Sequence, residues 1–119
     1  MQNRTNLSER LLDFAASSIK LTVKLKRTAV GRYMAYQLMR AASSSGANYE
    51  DACGAESKAD FINKVQLVLK ELRESLYWLR LVERTSLISG DELKALEDEA
   101  NELTKIVAKS VITAKGEGK

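Results

Sequence analysis

The chain has 119 residues, no proline and no histidine, and a formal net charge of +3, which fits one domain with a single core. Its lone cysteine, Cys53, excludes an internal disulfide, and the dominance of Ala, Leu, Lys, Glu, Arg and Ser suits long helices rather than strands. No apolar run reaches the roughly 18 residues that span a bilayer, and the first residues lack the charged-then-apolar layout of a signal peptide, so the chain is expected to be soluble and cytoplasmic.

A first helix is expected over residues 7–26. Asn6 precedes it and Glu9 follows three positions later, the spacing of a capping box. Leu11, Phe14, Ser18, Leu21 and Leu25 then recur at alternating steps of three and four. A second helix, 28–53, starts at Thr28 and stops at Gly54, which is expected to end it in a left-handed conformation. Met34, Leu38, Ala41, Ser45, Tyr49 and Ala52 mark its inner side. Small residues fill its middle, from Ala41 to Asn48. Gly46 there costs about 1 kcal/mol relative to Ala, so another helix is expected to pass close to Ala42, Ser45 and Gly46, and Gly46→Leu to overpack that contact.

The third helix, 58–85, has the clearest signals. Ser57 is its N-cap and Asp60 its third residue. Ile62, Val65, Leu69, Leu72, Leu76 and Leu79 form a seam of alternating threes and fours, and Leu69, Leu72 and Leu76 are expected to be almost fully buried. A fourth helix, 90–112, opens with Ser89-x-x-Glu92 and carries Leu93, Leu96, Ala100, Leu103 and Val107 as its seam. Residues 113–119 are expected to fray. The loops implied are short, so neighbours run antiparallel. The fold expected is all-α, an up-down-up-down four-helix bundle, with slight left-handed supercoiling from the seam period near 3.5.

The third helix holds more apolar surface than a surface helix needs. Phe61, Val68 and Val82 widen its seam, and Leu67, Trp78 and Leu81 lie further round. Either it is the most buried helix of the monomer or its second flank meets another subunit. Leu67, Trp78 and Leu81 are therefore candidates for an oligomer interface.

Charge is unevenly placed. Residues 1–49 hold eight Lys/Arg against two Asp/Glu, and residues 90–104 hold one Lys against six Asp/Glu. Lys20, Lys24 and Arg27 make one basic stripe on the first helix; Arg32, Tyr36 and Arg40 make a second on the next, with an aromatic between two cations. Such stripes can track a phosphate backbone while Tyr stacks on a base. They also suit a solvated face, with Lys24 and Arg27 at the negative end of a helix. The acids Asp91, Glu92, Glu97, Asp98 and Glu99 complement the positive end of the fourth helix.

Evidence for chemistry is thin. Asn48, Glu50, Asp51, Ser57 and Asp60 form a polar cluster around one loop, where capping explains them more simply than acid–base work. Cys53 has no evident activating base, and a chain without His lacks the Glu-x-x-His motifs of di-iron bundles. There is no phosphate-binding glycine loop. No catalytic residue, metal ligand or cofactor is assigned, and no enzyme activity or small-molecule substrate is expected.

The stretch from Arg40 through Ala52, followed by Ser57-Lys58-Ala59-Asp60-Phe61-Ile62-Asn63-Lys64, Leu69-Lys70-Glu71-Leu72-Arg73-Glu74-Ser75, Tyr77-Trp78-Leu79 and the loop Leu87-Ile88-Ser89, resembles the S23 family of four-helix-bundle proteins. Members include proteins encoded in intervening sequences of bacterial 23S ribosomal RNA genes. The accessory variability determinant of diversity-generating retroelements is a related branch. The resemblance covers most of residues 10–112. It implies a bundle that assembles into a ring-shaped homopentamer with a non-enzymatic role. In the retroelement branch, the ring associates with a reverse transcriptase and RNA. The function expected is a nucleic-acid-associated accessory protein; the alternative is a structural adaptor for a protein partner.

Overall fold

A computed structural model describes residues 4–116. Four helices follow in order: α1 (Arg4–Leu25), α2 (Ala29–Cys53), α3 (Lys58–Arg84) and α4 (Asp91–Gly116). Short connections force each helix back along its predecessor, and the result is an antiparallel four-helix bundle of 50 × 23 × 21 Å. Sequential neighbours pack along their length, α2 against α3 most extensively, while α1 closes the bundle against α4 over a much smaller contact. No helix among the described residues is long and apolar enough to cross a membrane.

The core is a column of aliphatic side chains with two aromatics, Phe14 and Tyr49, among them: Leu11, Leu21, Leu38, Leu72, Leu103 and Val107 are all essentially buried. Ser45 and Ser75 are buried among them, and each hydroxyl donates back to its own helix, to the carbonyls of Ala42 at 2.7 Å and Glu71 at 2.8 Å. That local bond removes the cost of a buried polar atom. It lets a small side chain sit where helices are close.

The expected seam of α3 needs a correction. The fully buried positions are Val65, Val68, Leu72, Leu79 and Val82, with Ser75 completing the same alternation. Leu69 and Leu76, expected to be almost fully buried, are only half-buried, as is Ile62. The face is turned by a fraction of a turn because α3 packs between α2 and α4. Residues pointing between those neighbours are covered completely, and the leucines on the α4 side sit at the margin.

Helix ends follow local chemistry, with corrections. Ser57 caps α3 as expected, accepting from the backbone N–H of Asp60 at 3.0 Å, and Thr28, expected as the first residue of α2, is its cap, accepting from Gly31 at 2.9 Å. But α1 already begins at Arg4, so Asn6 lies within the helix and the capping box with Glu9 does not mark its start. Gly54 closes α2 at φ −98° and ψ 13°, not in the left-handed region; its N–H donates to the Asp51 carbonyl at 3.1 Å and tightens the last turn. α4 opens at Asp91, directly after Gly90, whose φ of 116° is accessible to glycine and strained for other residues; Ser89 stands one position too early to be the cap. Residues 113–116, expected to fray, are helical, with Ala114 buried against the bundle; residues 117–119 of that tail lie outside the described residues.

The close approach expected at Gly46 belongs more strictly to another glycine. A β-carbon at position 46 would meet Leu11 of α1 at 3.7 Å, an ordinary contact, whereas one at Gly31 would fall 1.8 Å from the Leu25 carbonyl oxygen. Gly31 is what lets α2 start directly beneath the end of α1. Ala42 and Ser45 are fully buried, as expected.

Candidate functional site

The two basic stripes expected on α1 and α2 do not form one surface. Lys24 faces α4, where its ammonium meets Glu92 at 2.8 Å. Arg40 faces α3 and is held by Glu74 and, at 3.4 Å, by Glu71, a carboxylate that is almost wholly buried. Arg32 leans on the Lys26 carbonyl at 3.4 Å. Lys20, Arg27 and Tyr36 are exposed. So two of the five cations are tied to carboxylates, on opposite sides of the bundle.

The acids of α4 are similarly occupied. Glu92 takes Lys24, and Glu99 takes Arg10 through two bonds of 2.8 and 3.1 Å. The Glu99 hydrogen bond holds the Arg10 guanidinium above its ordinary pKa. Lys94 pairs with Asp98 one turn along, at 3.3 Å. These pairs bridge or flank the thin α1–α4 contact, which otherwise leaves an open cleft of about 410 Å³ past Asp13, Ser17 and Lys20. Glu97 is pushed up from the usual carboxylate range, by burial first and then by a shared hydrogen bond and like charge with Glu83 of α3.

A third set of cations is different, and its signal in the sequence lies under that of the apolar seam. On the outer face of α3, Lys70, Arg73, Tyr77, Arg80 and Arg84 recur at steps of three, four, three and four, and all five are exposed. None of the four cations has a carboxylate within ion-pair distance among the described residues. Three acids adjoin the row in sequence: Arg40 engages Glu71 and Glu74, and Glu83 meets Glu97 of α4. The spacing that identifies a buried seam identifies this row equally well; it was legible in the sequence and hidden only because the leucines carry the stronger signal.

Aromatic rings gather beside it. Trp78 is half-buried and packs on the core. Tyr77 and Tyr33 of α2 both stand edge-on to it, with centroids 5.3 and 5.7 Å away and interplanar angles of 81°. Both tyrosines are 58% exposed. The indole N–H has no acceptor among the described residues. Of the expected interface residues, Trp78 and Leu81 therefore pack against this chain's own core, while Leu67 stays 40% exposed.

A second apolar row lies on α1. Leu12, Ala16, Ile19 and Val23 follow α1 at steps of four, three and four, and all are exposed. Leu12, Ala16 and Ile19 border a groove of about 600 Å³ whose α2 wall is built from Ser43, Gly46, Ala47 and Glu50. The sequence shows this row too, interleaved with the buried one.

The polar cluster around residues 48–60 is structural in its visible bonds: Asn48 donates to Ser44, and Ser57 caps α3. Cys53 is half-buried and in no disulfide. Among the described residues, no three His, Cys, Asp or Glu side chains converge as a metal site would require.

The family model of the 23S rRNA-intervening sequence proteins matches residues 5–109. A crystal structure of a protein of unknown function from the S23 ribosomal protein family of Bacteroides thetaiotaomicron superposes with a TM-score of 0.80 at 32% identity, covering 88% of this chain and 97% of that one. No curated protein matches the chain.

Proposed function

Since this chain belongs to the 23S rRNA-intervening sequence protein family, we propose that it is a non-enzymatic, homo-oligomeric bundle that associates with nucleic acid, RNA in the first place, through the outer face of α3. The single observation that carries this reading is the row Lys70, Arg73, Arg80 and Arg84: four exposed cations on one face, without carboxylate partners among the described residues. Cations left free in this way are available to displace counterions from a phosphate backbone. The ion-paired Lys24 and Arg40 would first have to give up a partner.

Self-association is the second part of the proposal. It is supported by the exposed apolar row on α1 and the adjoining groove, since contiguous apolar surface on a small domain marks an interaction site. A ring would repeat the α3 row in every subunit, and weak contacts would add through multivalency. The pentamer and the reverse transcriptase–RNA complex suggested by the resemblance to the retroelement branch are the specific forms to test. The same apolar groove supports the rival reading, an adaptor for a protein partner without nucleic acid.

Purification from the host without nuclease separates these readings. Light scattering should give a mass several times the 13.2 kDa of one chain, and the ratio of absorbance at 260 and 280 nm should report co-purifying nucleic acid. A dilution-independent monomer free of nucleic acid would overturn both parts.

A further inference from the structure

Resting on the reading of α3 as a nucleic-acid surface, we infer that the strand it takes is single, with a base stacked on Tyr77. Tyr77 is the midpoint of the cationic row: Lys70 lies seven residues before it and Arg84 seven after, with Arg73 and Arg80 between. The row spans roughly 21 Å at 1.5 Å per residue, room for a few nucleotides of an extended strand.

An aromatic ring has little use at the centre of a surface for duplex. In A-form RNA the base faces are stacked inside, and a protein meets phosphates and 2′-hydroxyls across the shallow groove. Unstacked bases offer their faces, and aromatic platforms within cationic grooves are how single strands are held without sequence preference. Tyr77 fits that role in two respects. It is 58% exposed, and it is braced edge-on by Trp78 at 5.3 Å, so it is both open and oriented. Tyr33 stands in the same relation to the other side of the cluster, 58% exposed and 5.7 Å from Trp78, and offers a second platform. Trp78 is the chain's one tryptophan, so its fluorescence reports on this cluster alone.

The test uses the full chain with two probes at about 50 mM salt: an oligouridylate of about 12 nucleotides, and an RNA duplex of equal length. Oligouridylate should bind about tenfold more tightly than the duplex and quench Trp78. Tyr77→Ala should weaken oligouridylate binding roughly 5- to 100-fold, with Tyr77→Phe retaining it; a tyrosine that merely covers Trp78 would shift melting without this pattern. Equal or tighter duplex binding, or oligouridylate affinity indifferent to Tyr77→Ala, would overturn the single-strand inference and leave nucleic-acid association standing. Binding of neither probe would overturn both, in favour of a protein partner.

Discussion

The two faces of α3 are written in the same period and do opposite things. Val65, Val68, Leu72, Ser75, Leu79 and Val82 turn inward and are fully buried; Lys70, Arg73, Tyr77, Arg80 and Arg84 turn outward and are exposed. Between them, Glu71 and Glu74 take Arg40 on the α2 side, and Glu83 meets Glu97 on the α4 side. A spacing of three and four therefore says that residues share a face, not which face is buried. The chemistry at each position decides that. Substitutions on the inner face should change stability and spare binding, and those on the outer face should do the reverse.

The largest effect expected is on the inner face. Leu72 is fully buried at mid-helix, and Leu72→Ala should cost about 2–5 kcal/mol in chemical denaturation, with RNA affinity unchanged in the protein that remains folded. A cost under about half a kcal/mol would mean that this face does not form the core.

Next comes a pair of glycines that separates position from residue type. Gly31→Ala forces a β-carbon against the Leu25 carbonyl and should cost about 1–3 kcal/mol, the range of an overpacked contact. Gly46→Ala meets only Leu11 at 3.7 Å and should be neutral or stabilise by up to about 1 kcal/mol through helix propensity. Thermal melting of both variants checks the contrast, and equal melting temperatures would remove it.

The smallest effect lies at the α4 edge of α3 and depends on pH. Because the Glu97 carboxyl is raised in the fold, its contribution to stability is present below its unfolded pKa of about 4.3 and is lost as pH rises through the folded value. Glu97→Gln should therefore raise the melting temperature at neutral pH and leave it unchanged once wild-type Glu97 is protonated. An equal gain in acid would show that ionisation of Glu97, disfavoured by its burial and then by Glu83, is not the cause.

Much of this architecture was legible in the residues. The caps at Thr28 and Ser57, the stop at Gly54 and the seam of α4 follow from local chemistry, which acts within a few residues and can be read there. What was not legible depends on neighbours. Ser75 reads as a surface residue from sequence because its hydroxyl's bond to the Glu71 carbonyl is not visible there, and the leucine spacing points to Leu69 and Leu76 instead. Residues 113–116 look like a tail because their propensity is mixed, but Ala114 packs on the bundle and the helix continues. The stripe on α2 looked basic because nothing in its own sequence neutralises Arg40; its partners, Glu71 and Glu74, come from another helix. The α3 row is written in the sequence at the same spacing as the seam.

The central claim is that nucleic acid is held by the outer face of α3 rather than by net positive charge. It is tested most directly by two variants that lose the same charge. One changes Lys70, Arg73, Arg80 and Arg84 to Gln; the other changes Lys20, Lys24, Arg27 and Arg32 to Gln. Oligouridylate binding is then measured against salt. The α3 variant should bind weakly and show a plot of log affinity against log salt flatter by up to about 3 units, since each single-strand phosphate contact contributes about 0.7, while the other variant stays close to wild type. Equal losses in both variants, or a loss confined to the second, would contradict the assignment.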